Sequence, residues 1–374
     1  MKKIVVLVLS FFMLSINVFA TNAKGSILME YNTGKILMEE NSFEHMYPAS
    51  MTKMMTLLLI MESIDNGKIK LTDKVTVSEN ASNMGGSQVY LNVGEVMTVD
   101  DLIKSICIAS ANDSAVALAE FIAGTEEKFV SLMNKKVKEL GLVNTNFENV
   151  HGLHSDNHYS CPNDMAVIAR ELLKHQKILD YSSIYEEYLK KNDGSSVWMV
   201  NTNKLIRYYK GLDGLKTGFT DKAGYCLTAT AKRNDMRLIS VVMGEETSEI
   251  RSKDTVELLD YGYNNYKLKT IFKRDIKLGK VKVNNGKKDY VDLKLINDVV
   301  DLVDVNDEGK YDHKLKINEI KAPIYVGDKV GVLELYKDGK KVSTFDITVK
   351  ESIEKANIWD LYKKNFKYIV SGNV

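Results

Sequence analysis

The chain has 374 residues, of which 44% are hydrophobic and 27% charged, with 51 Lys+Arg against 50 Asp+Glu. This length predicts two folded units rather than one domain of average size. A formal net charge of +1 gives the molecule no field that would draw it to nucleic acid, so we exclude nucleic-acid binding.

The first twenty residues predict a secretory signal peptide. Lys2 and Lys3 precede an apolar run over 4–18, and the small residue Ala20 follows. The run is short for a membrane-spanning helix, which favours cleavage after Ala20, or after Ala23, over an uncleaved anchor. We therefore expect an exported protein that acts at the extracytoplasmic face of the membrane or in the cell wall.

Residues 24–267 predict an α+β unit. Strands over 26–31 and 35–38 flank the turn Asn32-Thr33-Gly34, and the apolar run 51–64 predicts a helix buried at the centre of a domain. Further helices are predicted over 98–108, 113–123, 126–140 and 257–266, and further strands over 225–231 and 238–243. Helices in the middle with strands at both ends are typical of an α+β domain.

A small all-β domain is predicted over 268–352, where short β-branched segments are separated by turns at Asn285-Gly286 and Asp338-Gly339. The three cysteines, Cys107, Cys161 and Cys226, are too few for a disulfide scaffold. We expect them to be small buried hydrophobic residues, with a single disulfide as the alternative.

The last segment, 353–374, predicts an amphipathic helix. Its lysine-rich side opposes an apolar and aromatic face formed by Ile358, Trp359, Leu361, Tyr362, Phe366, Ile369 and Val370. Such a helix can lie in an anionic membrane surface and is too short to span the bilayer. The alternative is that the same face packs on the β-rich domain.

Three short motifs follow one another along the chain: Ser50-Met51-Thr52-Lys53, Ser110-Ala111-Asn112 and Lys216-Thr217-Gly218. Each alone is weak, because Ser50 and Lys53 would fit a helix cap and a surface lysine equally well. Together, in this order, they match the S-x-x-K, S-D-N-like and K-T-G set of β-lactamases and penicillin-binding proteins.

The spacing of Ser50 and Lys53 places the amine one helical turn from the hydroxyl on the same face. An amine in apolar surroundings near a second cation has its charged form disfavoured, so Lys53 can accept the serine proton as a general base. The helix N-terminus would also stabilise negative charge that develops beside Ser50.

Ser110 and Asn112 are predicted to lie in the break between two helices, where side chains can project into a cleft. The Ser110 hydroxyl could relay a proton to a leaving amine, and the Asn112 amide could align a substrate amide. The alternative is that both residues only cap the following helix.

The third motif begins a predicted strand over 216–220. Lys216 and Thr217 would offer a cation and a hydroxyl to a substrate carboxylate, and Gly218 would let a substrate backbone approach the strand. The backbone N–H of Phe219 would form an oxyanion hole with that of Ser50.

With these motifs the chain resembles the low-molecular-mass penicillin-binding proteins, which are serine-type D-alanyl-D-alanine carboxypeptidases. The similarity runs over roughly 24–353 and includes the segments 48–53, 109–114, 151–153, 158–160 and 213–225. It implies a transpeptidase-like domain of the β-lactamase type, in which helices flank a five-stranded antiparallel sheet and the site lies between the sheet and a helical lobe. It also implies a covalent acyl-serine on Ser50, peptidoglycan pentapeptide stems as substrates and β-lactams as covalent inhibitors.

The resemblance further implies that Arg251, placed before the helix predicted at 257–266, helps to bind the substrate's terminal carboxylate. A solvated surface arginine is the alternative. Some members of the family have His after Lys-Thr-Gly. Here that position is Phe219, which keeps the backbone role and changes the side-chain contacts.

Three alternative hypotheses remain open at this point: a β-lactamase, a zinc site and a non-catalytic cell-wall binder. A β-lactamase would share the motifs, but Gln88 stands where such an enzyme has the glutamate that activates water. His151, His154, His158 and Cys161 have spacings that could suit zinc, although Gly152 interrupts any continuous helix there. A non-catalytic cell-wall binder is the third. We expect no metal and no cofactor.

The motifs do not determine which stem residue precedes the D-alanines or whether the enzyme also has endopeptidase activity. They do not determine the growth stage at which the protein acts or its oligomeric state either.

Overall fold

The computed structural model describes residues 21–360 and 362–363. The predicted signal peptide, 1–20, lies outside these residues, as does most of the predicted tail helix. Within the described residues no helix combines the length and the apolar character needed to cross a bilayer.

The amino-terminal part of the described chain is a mixed α+β unit. Its strands are β1 Gly25–Glu30, β2 Ile36–Glu40, β3 Lys74–Thr76, β4 Val96–Thr98, β5 Glu186–Lys190, β6 Ser196–Val200, β7 Leu212–Thr220, β8 Gly224–Arg233 and β9 Met236–Glu245. Its helices are α1 Lys53–Asp65, α2 Glu79–Ser82, α3 Val99–Ala109, α4 Asn112–Ala123, α5 Glu126–Glu139, α6 Pro162–Leu172, α7 Ile178–Ser182, α8 Leu205–Tyr208 and α9 Ser248–Asn265.

Among the described residues, the main sheet has five antiparallel strands in the order β2-β1-β9-β8-β7. Successive side chains of a strand point to opposite faces, and both faces here are covered. Ile27 accordingly packs in the cluster that contains α1, and Leu28 in the one that contains Leu258 of α9. β7 ends the order and is therefore an edge strand.

Helix α1 runs through the centre of the larger cluster, as the apolar run 51–64 predicts. Its first nine residues, Lys53 to Met61, are all buried, so the helix has no polar face along this stretch. A 3₁₀ turn, Ala49–Thr52, leads into it. Burying each large apolar side chain stabilises the fold by about 1.5–3 kcal/mol. This burial holds α1, and with it Lys53, in position.

The predicted start of the last helix at 257 is wrong, because α9 begins at Ser248. The Thr247 hydroxyl accepts a hydrogen bond from the Ile250 N–H, and Glu249 lies in the first turn, where a carboxylate stabilises the helix dipole. The polar composition of this first stretch conceals the helix in the sequence. Arg251 consequently lies inside α9 rather than before it.

The carboxyl-terminal part is the small all-β domain that the sequence predicts. Its strands are β10 Tyr266–Phe272, β11 Lys280–Asn284, β12 Tyr290–Leu295, β13 Val299–Asp304, β14 Tyr311–Ile317, β15 Ile320–Lys321, β16 Gly331–Lys337 and β17 Lys340–Val349. Asp338 and Gly339 join β16 to β17 with positive φ at both positions, as a tight hairpin turn requires.

Ile353 is 3% exposed and packs in the core of the β-rich domain, although the predicted tail begins at this residue. The three cysteines are buried and unpaired, as expected of small hydrophobic residues.

Candidate active site

The amine of Lys53 is completely buried at the start of α1 and has three oxygen neighbours. Its Nζ lies 2.9 Å from Ser50 Oγ, 2.6 Å from Asn112 Oδ1 and 2.7 Å from the His151 carbonyl oxygen. A neutral amine has two N–H bonds and one lone pair. The two carbonyl oxygens can only accept, so they take the two N–H bonds and leave the lone pair for the Ser50 hydroxyl.

The electrostatic surroundings favour this neutral form. Burial lowers the pKa of Lys53 well below its ordinary value, Lys216 lowers it further, and Asp113 opposes the shift to a lesser extent. Ser50 itself is partly exposed, so its hydroxyl is open to a substrate. The side chain of Ser50 caps no helix, which removes the alternative in which the motif is only a helix start.

Ser110 lies in the break between α3 and α4, as predicted, whereas Asn112 is the first residue of α4. Ser110 is 3% exposed and adopts a left-handed conformation with φ 62°. Ala111 is the N-cap of α4, and no side chain caps this helix. The capping alternative for Ser110 and Asn112 is therefore wrong.

Asn112 is fixed on both sides of its amide. Its Oδ1 accepts from Lys53, while its Nδ2 donates to the Gly85 carbonyl at 2.6 Å. The neighbouring Asp113 carboxylate accepts from the N–H groups of Val89 and Leu91, each at 3.1 Å. The loop 85–91 is thus tied to the start of α4, and Asn112 is held in position before any substrate binds.

The His151 carbonyl reaches Lys53 because Gly152 follows it. Gly152 has φ +88°, and a Cβ at this position would lie 1.8 Å from the Ala49 carbonyl oxygen. Only glycine therefore allows the segment to approach the serine turn. The sequence motifs do not identify this backbone acceptor, because a carbonyl is present at every position.

The third motif lies on the edge strand β7. Lys216 is buried, and its Nζ donates to the Thr217 carbonyl at 3.1 Å, while the Thr217 hydroxyl donates to Thr202 Oγ1 at 2.7 Å. Burial lowers the pKa of Lys216 to about 7, with a further lowering by Arg251 that the nearby Cys107 opposes. Thr202 has no signal in the sequence and is found only from the structure.

Gly218 lies where β7 meets the serine turn, and its predicted role in the approach of a substrate backbone stays a prediction. A Cβ here would lie 2.8 Å from the Pro48 carbonyl oxygen and 3.1 Å from the Ala49 Cβ. The missing side chain thus lets β7 pack directly against the turn that carries Ser50. The Phe219 side chain is half exposed, and its ring centroid lies 4.3 Å from that of Tyr225.

Two family models match the chain. The first, D-alanyl-D-alanine carboxypeptidase (Peptidase_S11), covers residues 14–247, and the second, penicillin-binding protein 5, C-terminal domain, covers 266–355. The chain belongs to the D-alanyl-D-alanine carboxypeptidase family. Its activity is that of a serine-type D-alanyl-D-alanine carboxypeptidase, an enzyme that acts on peptidoglycan, and penicillin binding fits the family.

Relatives share nearly the whole chain. The chain is 47% identical to D-alanyl-D-alanine carboxypeptidase DacF of Bacillus subtilis, over 92% of this chain and 89% of that protein. It is 35% identical to DacC of Escherichia coli, over 93% of this chain and 89% of that one.

Solved structures of penicillin-binding proteins are also similar to this chain. Penicillin-binding protein 5 from Haemophilus influenzae has a TM-score of 0.73 at 32% identity and covers 90% of this chain and 98% of its own. The ampicillin-bound penicillin-binding protein D2 from Listeria monocytogenes has a TM-score of 0.59 at 31% identity and covers 65% of this chain and 98% of its own.

In this carboxypeptidase Arg251 is not a solvated surface residue. It is 6% exposed, its Nη2 donates to Ser252 Oγ at 3.2 Å, and its buried Nε has no partner among the described residues. Its charge also lowers the pKa of Lys216. Arg251 is therefore a buried cation whose charge acts on the third motif.

The histidines that could suggest zinc have other contacts. His158 Nδ1 accepts from the Glu148 N–H, so its neutral ring carries the proton on Nε2, which lies 2.8 Å from Thr52 Oγ1. His151 Nδ1 accepts from the Leu153 N–H. Burial lowers the pKa of His151 to about 3 and that of His158 to about 4. No group of three potential metal ligands occurs in the described residues.

Proposed function

We propose that Ser50 is the nucleophile of the carboxypeptidase and that neutral Lys53 is its general base. The observation that carries this assignment is the set of three contacts to Lys53 Nζ. Two carbonyl acceptors orient the amine, and the remaining direction faces the Ser50 hydroxyl. Burial lowers the pKa of Lys53 well below its ordinary value, which favours the form of the amine that accepts a proton.

In this mechanism Ser50 Oγ attacks the carbonyl carbon of the penultimate D-alanine while its proton moves to Lys53 Nζ. The C–N bond to the terminal D-alanine then breaks, and the leaving amine takes a proton through the Ser110 hydroxyl. Water hydrolyses the Ser50 ester and releases the shortened stem. The backbone N–H groups of Ser50 and Phe219 stabilise the oxyanion in both steps.

We assign the terminal carboxylate of the substrate to Lys216, Thr217 and Arg251. The buried cation at Lys216 and the unpaired nitrogen of Arg251 provide the charge, and charge-assisted hydrogen bonds of this kind are the strong ones. Asn112 would align the substrate amide through its fixed side chain. Gly218 keeps the edge strand against the serine turn, so that the carboxylate site and the nucleophile have a constant separation.

Acylation by benzylpenicillin tests the assignment. We expect one adduct per chain by intact mass, located on Ser50 by peptide mapping and absent in Ser50→Ala. The adduct should be long-lived, because Gln88 stands where a β-lactamase has the glutamate that activates water. An adduct on another residue, or continued acylation of Ser50→Ala, would contradict the proposal. Ser110→Ala is the matched control, which should retain the adduct site while D-alanine release slows.

We also propose that residues 1–20 direct export, that the catalytic domain extends to about residue 267, and that the carboxyl-terminal helix binds a membrane surface. The exposure of Ile358, Trp359 and Tyr362 supports the last point, since these side chains are 84%, 72% and 62% exposed. Aromatic and aliphatic side chains beside lysines suit an anionic lipid surface.

A further inference from the structure

The hairpin formed by β5 and β6 has one buried and one exposed face. Leu189 and Met199 are 2% and 1% exposed and belong to the larger core cluster. On the opposite face, Tyr188 and Trp198 are 62% and 58% exposed. Because successive side chains of a strand alternate between its faces, the core contacts of the hairpin do not require an aromatic residue at either exposed position.

The two exposed aromatic residues lie directly opposite each other. Tyr188 and Trp198 are register partners in the antiparallel pair, and side chains at such positions have Cβ atoms about 4.5–5.5 Å apart. We call this pair the aromatic face of the hairpin. Glu186 and Lys190 flank it on the same side of β5. One acidic and one basic side chain leave the surface without net charge, which suits an uncharged polar ligand.

Contacts from the turn of the hairpin fix its position. Lys191 Nζ lies 3.3 Å from Glu95 Oε2, and it also donates to the Tyr90 carbonyl. The side-chain amide of Asn192 donates to the Val96 carbonyl at 2.7 Å. The aromatic face is thus held in place before a ligand binds, which lowers the entropy lost on binding.

Short segments join the hairpin to the candidate active site. Trp198 comes four residues before Thr202, a distance of at most about 14 Å along the chain. Thr202 Oγ1 in turn accepts from the Thr217 hydroxyl at 2.7 Å. On the other side, the loop that contacts the hairpin turn begins near Gly85, whose carbonyl accepts from Asn112 Nδ2. The aromatic face is therefore connected to both the second and the third motif.

The substrate class indicates the ligand. The enzyme acts on peptidoglycan, in which each peptide stem is attached to a polymer of N-acetylated sugars. A sugar ring has a face of C–H groups that can pack on the electron-rich face of an aromatic ring, while its hydroxyl and acetamido groups stay hydrated. Tyr and Trp offer such contact area at a low cost in conformational entropy, because each has only two χ angles.

We propose that Tyr188 and Trp198 form a binding surface for the glycan strand of peptidoglycan. Sugar rings stack on the aromatic face while the peptide stem of the same polymer occupies the site at Ser50. The enzyme therefore prefers stems that are attached to glycan over free peptides. Because the stem must lie at Ser50, this glycan surface rests on the proposed function.

Tryptophan emission measures binding directly, since the chain has only two tryptophans, Trp198 and Trp359. In the Trp359→Phe variant of the full chain, the emission comes from Trp198 alone. Titration with chitotetraose, a peptide-free oligomer of N-acetylglucosamine, should shift this emission to the blue and saturate. Tyr188→Ala in the same background should weaken binding by about fivefold, the size expected for one ring contact. Tyr290→Ala, at a 57% exposed tyrosine of β12, is the matched control and should leave binding unchanged.

Kinetics with two substrates connect the aromatic face to turnover. One substrate carries the pentapeptide stem on a tetrasaccharide of the glycan, and the other is the same pentapeptide without sugars. Trp198→Ala should lower the ratio of kcat/KM for the first substrate to that for the second by about fivefold. Its kcat/KM for the free peptide should stay at the wild-type value. An equal loss on both substrates would show that the ring only stabilises the hairpin, as cross-strand aromatic pairs can, and would overturn the proposal.

Unchanged Trp198 emission with chitotetraose would also overturn the glycan surface. A blue shift with anionic vesicles and none with the saccharide would do the same, because the aromatic face would then bind a membrane. In either case a benzylpenicillin adduct on Ser50 in the same preparation would show that the proposed function still stands. Saturable binding of chitotetraose without any Ser50 adduct would support the glycan surface and contradict the assignment of the nucleophile.

Discussion

Lys53 Nζ lies 2.6 Å from Asn112 Oδ1, although the two residues are 59 positions apart and begin different helices. This hydrogen bond joins the first motif to the second. It also uses one N–H of the amine, and the His151 carbonyl uses the other. The base is thus oriented by groups that do not react.

Asn112→Ala should slow acylation by benzylpenicillin by about 10- to 100-fold, because Lys53 loses an orienting acceptor within a buried site. The second-order rate constant of acylation is the measurement. Asn134→Ala is the matched control, since Asn134 holds the Phe147 backbone through two similar hydrogen bonds away from the site. Equal rates for Asn112→Ala and the wild type would show that Asn112 does not orient the base.

Gly152→Ala should abolish acylation and lower the free energy of unfolding by more than about 2 kcal/mol. Gly124→Ala is a close control, because Gly124 has φ +87° against +88° for Gly152 and a Cβ there meets nothing within 4 Å. Both variants carry backbone strain, and only Gly152→Ala also collides with the Ala49 carbonyl. Thermal unfolding and penicillin acylation are measured together. A Gly152→Ala protein that retains full acylation would refute the role of the His151 carbonyl.

The pH dependence of kcat/KM should reflect the protonation state of Lys216. Its pKa is lowered to about 7, so the ammonium group is present below that pH and is lost as the pH rises through it. The profile of kcat/KM reports the free enzyme, and it should fall above about pH 7 as the carboxylate site loses its charge. Lys216→Arg keeps a cation at all these pH values, so the fall should disappear. A wild-type profile that stays level to about pH 9 would contradict the assignment.

The tail prediction is tested by truncation after Ala356. This boundary keeps Ile353 in the core of the β-rich domain and keeps the hydrogen bond from the Ala356 N–H to the Asn285 carbonyl. The shortened protein should no longer sediment with anionic vesicles, while its release of D-alanine stays unchanged. Trp359→Glu in the full chain should weaken vesicle binding in the same direction. Unchanged vesicle binding of the truncated protein would rule the anchor out.

Much of the site follows from sequence spacing. A three-residue separation at a helix start predicts that Ser50 and Lys53 meet. The predicted break between two apolar helices holds Ser110, and Asn112 is the first residue of the helix that follows. The long apolar run 51–64 likewise predicts a buried helix, because it is apolar on nearly every face.

Other parts of the site depend on long-range packing that spacing does not encode. The His151 carbonyl and the Thr202 hydroxyl reach the site through tertiary contacts. The functions of Gly152 and Gly218 are visible only as collisions with the serine turn. The burial of Arg251 could not be predicted either, because the first two turns of α9 are polar and its start is marked only by Thr247.

The removal of the Ser50 proton by neutral Lys53 can be tested through the acylation rate of Lys53→Ala. Stopped-flow or quenched mass measurement with benzylpenicillin gives the second-order rate constant, and circular dichroism and thermal unfolding check that the fold persists. Loss of a general base slows a reaction by about 100- to 10,000-fold, so we expect little or no Ser50 adduct on the wild-type timescale. A folded Lys53→Ala protein that acylates at the wild-type rate would show that Lys53 is not the general base.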